Sequence, residues 1–171
     1  PIDRTSPKYA SGTKTFRYTQ TEMGYVDLKE RWVSTKALEN QVAILALATS
    51  ADDGHMGKDE AAVIREYFRS RFEDSDEGEE RRESVNTTLK STFQDFLARR
   101  KKPRKVIGAV CQKLVKNGDT DLLHEAYELC VRVVAADGDI HRREQQVLDY
   151  VAEKLRLPEG FVREVHDQNF R

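Results

Sequence analysis

The residues best suited to chemistry in this chain are acidic and form two matching sets. Asp53 and Glu60 make up the first set, and Asp137 and Glu144 make up the second with the same spacing. Carboxylate oxygens are the ligands that hard cations such as Ca²⁺ and Mg²⁺ prefer. Carboxylates crowded together raise one another's pKa values unless positive charge offsets them. These four residues are therefore the candidate metal ligands, and Ca²⁺ or Mg²⁺ is the candidate cofactor.

The two acidic sets belong to a longer internal repeat. Asp53 and Asp137 are 137 − 53 = 84 residues apart, and at this offset further positions coincide. A self-match at fixed offset indicates duplication. We therefore expect two helix–turn–helix units about a pseudo-two-fold axis, which would bring the two acidic turns together. The other coinciding pairs are Leu45 with Leu129, Ala51 with Ala135, Gly54 with Gly138, Met56 with Ile140, Lys58 with Arg142, Val63 with Val147 and Ile64 with Leu148.

The acidic turns could also belong to an EF-hand loop or to a pair of helix caps. An EF-hand calcium loop is excluded, because its third position needs an oxygen ligand and holds Ala51 or Ala135 here. Helix capping remains open. With Gly57 or His141 as the N-cap, the glutamate three residues later can accept hydrogen bonds from free backbone N–H groups. Lys58 and Arg142, which occupy matched positions, are candidate basic partners that would neutralise the acidic turns without a metal.

No catalytic constellation is visible in the sequence. The four histidines, His55, His124, His141 and His166, are scattered, and no nucleophile motif or phosphate loop is present. The two cysteines do not form a C-x-x-C pair, and each has apolar neighbours at helical spacing, which predicts buried packing. We expect a protein that is not an enzyme.

A basic segment supports an alternative function. Lysine and arginine side chains there could contact nucleic-acid phosphates, although no interleaved aromatic residues are available for stacking on bases. A solvated connector between helices is the competing interpretation, since Pro103 interrupts the run. The basic residues are Arg99, Arg100, Lys101, Lys102, Arg104 and Lys105.

The composition indicates one helical domain. The chain has 171 residues, a net charge of −1 and 35% charged residues. It contains no run of about 20 apolar residues that would span a bilayer, so we expect a cytoplasmic protein without a transmembrane segment. Low Pro and Gly content also favours helices. We predict an N-terminal extended arm or linker over residues 1–35 and a helical domain over residues 36–171.

Apolar periodicity then predicts an all-α fold, a compact helical bundle of about seven helices. Helices are expected at about 36–49, from Lys58 onward, around 85–97, and at about 104–116, 119–135 and 141–156, followed by a short last helix near Glu159. The charged stretch 73–83 is either a loop or the start of the next helix. A short strand-like stretch at Thr15–Thr19 is the one extended element expected.

The repeated pattern A-x-D-G-x-[IM]-x-x-x-E, on a duplicated helical scaffold, resembles the TerB-like domain of bacterial tellurite-resistance and stress-response systems. The same domain type forms the N-terminal part of DjlA-like co-chaperones. The resemblance implies a helical bundle with internal two-fold character, no established catalytic activity, and metal binding at Asp53, Glu60, Asp137 and Glu144. It also implies an interaction or sensing role in stress response or phage defence, with a protein partner or fused domains of a larger polypeptide.

Overall fold

The structure is a computed structural model that describes residues 38–52, 57–138 and 140–170. The side chain of Asp137 is also outside the description. The chain divides into two units, Pro1–Glu39 and Asn40–Arg171, and the fold below is that of the second. The predicted arm, its strand-like stretch at Thr15–Thr19, and the turn containing Asp53 and His55 lie outside the described residues.

The described residues form seven α-helices and one short 3-10 helix, joined by turns and short connectors, and they contain no strand. The all-α prediction is confirmed. Most helices lie within a few residues of where the apolar periodicity placed them, whereas α3, expected around 85–97, begins at Gly78. The helices are α1 (38–51), α2 (Lys58–Phe72), α3 (Gly78–Leu97), α4 (Pro103–Asn117), α5 (Thr120–Val134), α6 (Arg142–Lys154) and α7 (Glu159–Asn169), with the 3-10 helix (Ala135–Asp137) between α5 and α6.

Helix α5 lies at the centre of the core and packs against α2, α6 and α7. Its sequence explains this position, because apolar residues cover more than one face. Helix α2 offers a narrower stripe, in which Ile64, Phe68 and Phe72 recur every four residues and are buried. The buried residues of α5 are Ala126, Tyr127, Leu129, Cys130, Val131, Val133 and Val134.

Helix boundaries follow local signals. Pro103 begins α4, where its missing N–H costs nothing. The Asp119 side chain accepts a hydrogen bond of 2.8 Å from the backbone of Leu122 and so caps α5. Gly138 ends the 3-10 helix with φ of 89°, a conformation that side chains with a Cβ rarely adopt. The charged stretch 73–83 contains both predicted elements, since α3 begins at Gly78.

Both cysteines are buried and unpaired, as predicted. Burial raises the pKa of the Cys111 and Cys130 thiols to about 12. The Thr49 hydroxyl lies 3.5 Å from the Cys130 sulfur and joins α1 to α5. Among the described helices, none combines the length and the apolar character that a membrane-spanning segment needs.

Candidate functional site

The C-terminal end of α1 is joined to the first turn of α2 by a buried hydrogen bond. The Ser50 hydroxyl donates to the Glu60 carboxylate. Ser50 is 6% exposed and Glu60 is 7% exposed. A hydroxyl donor offsets part of the cost of burying this carboxylate. This hydrogen bond therefore fixes Glu60, the first of the two candidate glutamate ligands, next to the end of α1.

Asp52, the next residue after α1, makes the longest-range polar contacts of this region. Its carboxylate receives two hydrogen bonds from the Arg104 guanidinium, at 3.3 and 3.1 Å. Arg143 approaches from α6 and donates to the Asp52 backbone carbonyl at 2.9 Å. A cation at the exposed carbonyls of a helix C-terminus is favourable. Asp52 thus links the ends of α1, α4 and α6.

The second predicted glutamate acts as a helix cap. The backbone N–H of His141, the N-cap of α6, donates to Glu144 Oε1 at 2.9 Å. Glu144 is itself buried. The capping interpretation of Glu144 is thereby confirmed. Gly57 and His141 are the N-caps of α2 and α6, and both have extended backbones, so Glu60 and Glu144 occupy equivalent positions.

These contacts bring the regions flanking the two turns together. Arg143 reaches Asp52 from the first turn of α6, and α2 packs against the 3-10 helix that leads into the second turn. We call the group formed by Ser50, Asp52, Glu60, Arg104 and Arg143 the turn junction. Flanks that meet in this way are what a pseudo-two-fold arrangement requires, although the repeat itself stays a prediction.

The full set of four candidate ligands is only partly described. Glu60 and Glu144 are placed, whereas Asp53 and the side chain of Asp137 are outside the description. The described residues contain no group of three or more His, Cys, Asp or Glu side chains positioned for a metal ion. Two of the four candidate ligands lie outside the described residues, so the metal site stays a prediction.

Two arginines neutralise Asp52, the acidic residue that precedes the first turn. Lys58 and Arg142 are exposed, and neither pairs with a carboxylate in the described part of the chain. Arg104 and Arg143 pair with Asp52, whereas pairing of Lys58 and Arg142 with the turns stays a prediction, because Asp53 and the side chain of Asp137 lie outside the described residues. The internal repeat did not predict the contacts of Asp52, because the residues involved are not the same in the two copies. At the 84-residue offset Asp52 coincides with Ala136, and Arg143 coincides with Asp59.

The basic segment lies in the connector between α3 and α4 and in the first turn of α4. Arg100 and Lys101 both pair with Asp95, at 2.9 and 3.3 Å, and the hydrogen bond from Arg100 lowers the pKa of Asp95. Arg104 pairs with Asp52. Three of the six candidate nucleic-acid contacts are thus already bound to carboxylates. Arg99, Lys102 and Lys105 have no carboxylate partner within the described ranges.

Comparison with known proteins agrees with this architecture. A family model described as tellurite resistance protein TerB matches residues 39–166. The match includes both acidic turns and all seven helices, apart from the first residue of α1 and the last residues of α7. No curated protein and no solved structure gave a significant match to the chain.

Proposed function

Because the chain belongs to the TerB family and contains its tellurite-resistance-type helical domain, we propose that it is a non-catalytic interaction and sensing module. It would act in a bacterial stress-response or defence system, with a divalent cation at the paired Asp-Gly turns. The observation that carries this proposal is the turn junction, in which Asp52 meets Arg143 across the flanks of the two turns.

The chemistry of the donors fits a hard cation. Asp53, Glu60, Asp137 and Glu144 supply only carboxylate oxygens, the type of ligand that Ca²⁺ and Mg²⁺ prefer. Glu60 and Glu144 are buried at equivalent positions in the first turns of α2 and α6. Buried carboxylates need compensation by hydrogen bonds or positive charge. The bound ion would supply positive charge between the turns, and the four residues would hold it.

Such an ion would act on the fold through helix ends. Asp53 follows α1 closely and Glu60 lies in the first turn of α2. A cation bound by both residues would therefore fix the end of α1 relative to the start of α2. The same holds for Asp137 and Glu144 between α5 and α6. A protein partner, or further domains of a larger polypeptide, would then recognise the restrained helices. The chain would signal by binding, and no step would need a catalytic residue.

Thermal unfolding of the chain with and without Ca²⁺, Mg²⁺ or Mn²⁺ tests this proposal. Ligand that binds only the folded state stabilises it by about 2.7 kcal/mol when its concentration is a hundred times Kd. We expect at least one cation to raise the Tm of the wild type and to leave the Asp53→Asn/Asp137→Asn variant unchanged.

The matched control is Asp74→Asn/Asp121→Asn. It removes the same charge at two exposed positions away from the turns. This control should keep the cation-induced rise in Tm. Absence of a rise in the wild type, or an equal rise in the turn variant, would refute cation binding at the turns.

A further inference from the structure

A groove rich in positive charge lies where the α3–α4 connector approaches α1. Its volume is about 540 Å³, which is in the range of small-molecule sites. Arg100 and Lys101 share Asp95, whereas the other cations pair with no carboxylate among the residues that the structure places. The basic side chains lining it are Arg99, Arg100, Lys101, Lys102, Lys105 and Lys113.

The beginning of α4 adds to this positive potential. Lys102 is the N-cap, and no side chain caps the helix. No acidic residue occurs in its first turn. Backbone N–H groups at a helix N-terminus carry partial positive charge and favour anions, phosphate among them. Lys102 and Lys105 thus place full charges where the helix already attracts an anion.

The rest of the groove is not basic. Ile44, Val106 and Val110 contribute apolar surface from α1 and α4. Gln41 also lines the groove, and its Oε1 atom is buried without a hydrogen-bond donor in the described residues. A buried acceptor without a donor is costly to the free protein. An N–H or O–H group on a bound molecule would relieve that cost.

We propose that this groove binds a nucleoside polyphosphate. The phosphates lie against Lys102, Lys105 and Lys113, where several negative charges are matched. The apolar wall accepts the flat base, and Gln41 accepts a hydrogen bond from it. Neither a polyanion without a base nor a base without phosphates uses all three features. The proposal does not depend on a cation at the turns.

Calorimetric titration of the full chain with ATP, in the presence of a metal chelator, tests this inference separately from the cation site. Parallel titrations use tripolyphosphate and a short single-stranded DNA. We expect saturable ATP binding that weakens with salt, since phosphate contacts are electrostatic. Tripolyphosphate and DNA should both bind more weakly than ATP.

Two variants and a control resolve the contributions. Lys102→Ser/Lys105→Ser should weaken ATP binding by about tenfold or more, as expected for lost charge-assisted hydrogen bonds. Lys90→Ser/Lys116→Ser removes the same charge at exposed positions outside the groove and should leave affinity unchanged. Gln41→Met should weaken ATP binding, leave tripolyphosphate binding as it was, and keep or raise the Tm, because it removes the buried acceptor.

Four results would overturn the proposal. They are no saturable binding of ATP, an equal loss in the control pair, tripolyphosphate binding as tightly as ATP, and DNA binding more tightly than ATP. The third would show that the base is not recognised. The fourth would assign the basic residues to nucleic acid.

Discussion

Asp52 concentrates the polar chemistry of the turn junction in one side chain. Its side chain is 7% exposed, while those of Arg104 and Arg143 are 43% and 64% exposed. Ion pairs with exposed partners contribute little by themselves. The larger effect on stability comes from the buried Asp52 carboxylate, because a buried charge without its basic partners destabilises the fold. Asp52 is therefore the residue at which the junction is most sensitive to substitution.

Replacing Asp52 with Asn should lower the free energy of unfolding by about 1–2 kcal/mol, since it weakens charge-assisted hydrogen bonds at a buried position. Urea titration measures this. A double-mutant cycle with Arg143→Gln should give a coupling of up to about 1 kcal/mol. The control Asp121→Asn, at an exposed site, should change little. Zero coupling would mean that the Arg143 guanidinium and the Asp52 carboxylate do not pair in solution, since the hydrogen bond to the Asp52 backbone carbonyl is kept in Asp52→Asn.

Residue-scale contacts were predictable only where they are local. The Glu144 cap spans three residues, and its spacing alone indicated it. The Arg143–Asp52 contact joins positions 91 residues apart. The internal repeat does not predict this pair. A repeat is recognised from positions that are alike in the two copies, and the copies differ at both of these positions. Ser50, whose counterpart is Val134, was missed for the same reason.

At the scale of elements, α6 is positioned by its first turn. Glu144 holds the backbone N–H of His141 and is also a candidate cation ligand. The two roles differ in what they require. A cap needs a hydrogen-bond acceptor, which glutamine also provides, whereas a hard cation favours the charged carboxylate.

Glu144→Gln should therefore keep most of the stability of the metal-free protein and lose the cation-induced rise in Tm. Glu144→Ala should lose both, with a decrease of about 1 kcal/mol in the free energy of unfolding from the missing cap. Thermal and urea unfolding of the two variants, with and without cation, separates the roles. If Gln keeps the full cation response, Glu144 is a cap alone.

Helix positions were largely predictable because apolar residues recur with the helical period in long segments. The stretch 73–83 was ambiguous because charged residues are compatible with loops and with solvated helix. The structure starts α3 at Gly78, whose position lies against the backbone carbonyl of Phe72. An added Cβ would meet that carbonyl. The close approach of the end of α2 to the start of α3 depends on the path of the five-residue loop between them, which sequence periodicity does not report.

At the scale of the whole molecule, the core contains several groups that resist ionisation. Desolvation by burial raises the pKa of Tyr127 from 10.0 to about 12, and the pKa of Cys130 from 9.0 to about 12. Burial also raises the pKa values of Tyr67 and Cys111. These groups lose protons more readily in the unfolded chain. Below about pH 9 they are protonated in both states and stability does not depend on pH through them, whereas stability is lost as pH rises toward 12 because the unfolded chain ionises first.

The free energy of unfolding should therefore fall steadily above about pH 9. Tyr127→Phe should reduce the steepness of this fall. At neutral pH it should be neutral or slightly stabilising, because the Tyr127 hydroxyl is buried with no partner among the described residues. Urea titrations across the alkaline range measure this, with the partly exposed Tyr150→Phe as the control. An unchanged slope in Tyr127→Phe would contradict the role assigned to the buried hydroxyl.

The most direct test of the paired turns is the stoichiometry of cation binding. Calorimetric titration should give one cation per chain in the wild type, and either Asp53→Asn or Asp137→Asn alone should abolish binding, because one shared site needs both turns. Two cations per chain, with one retained in each single variant, would contradict a shared site and assign the turns to separate functions.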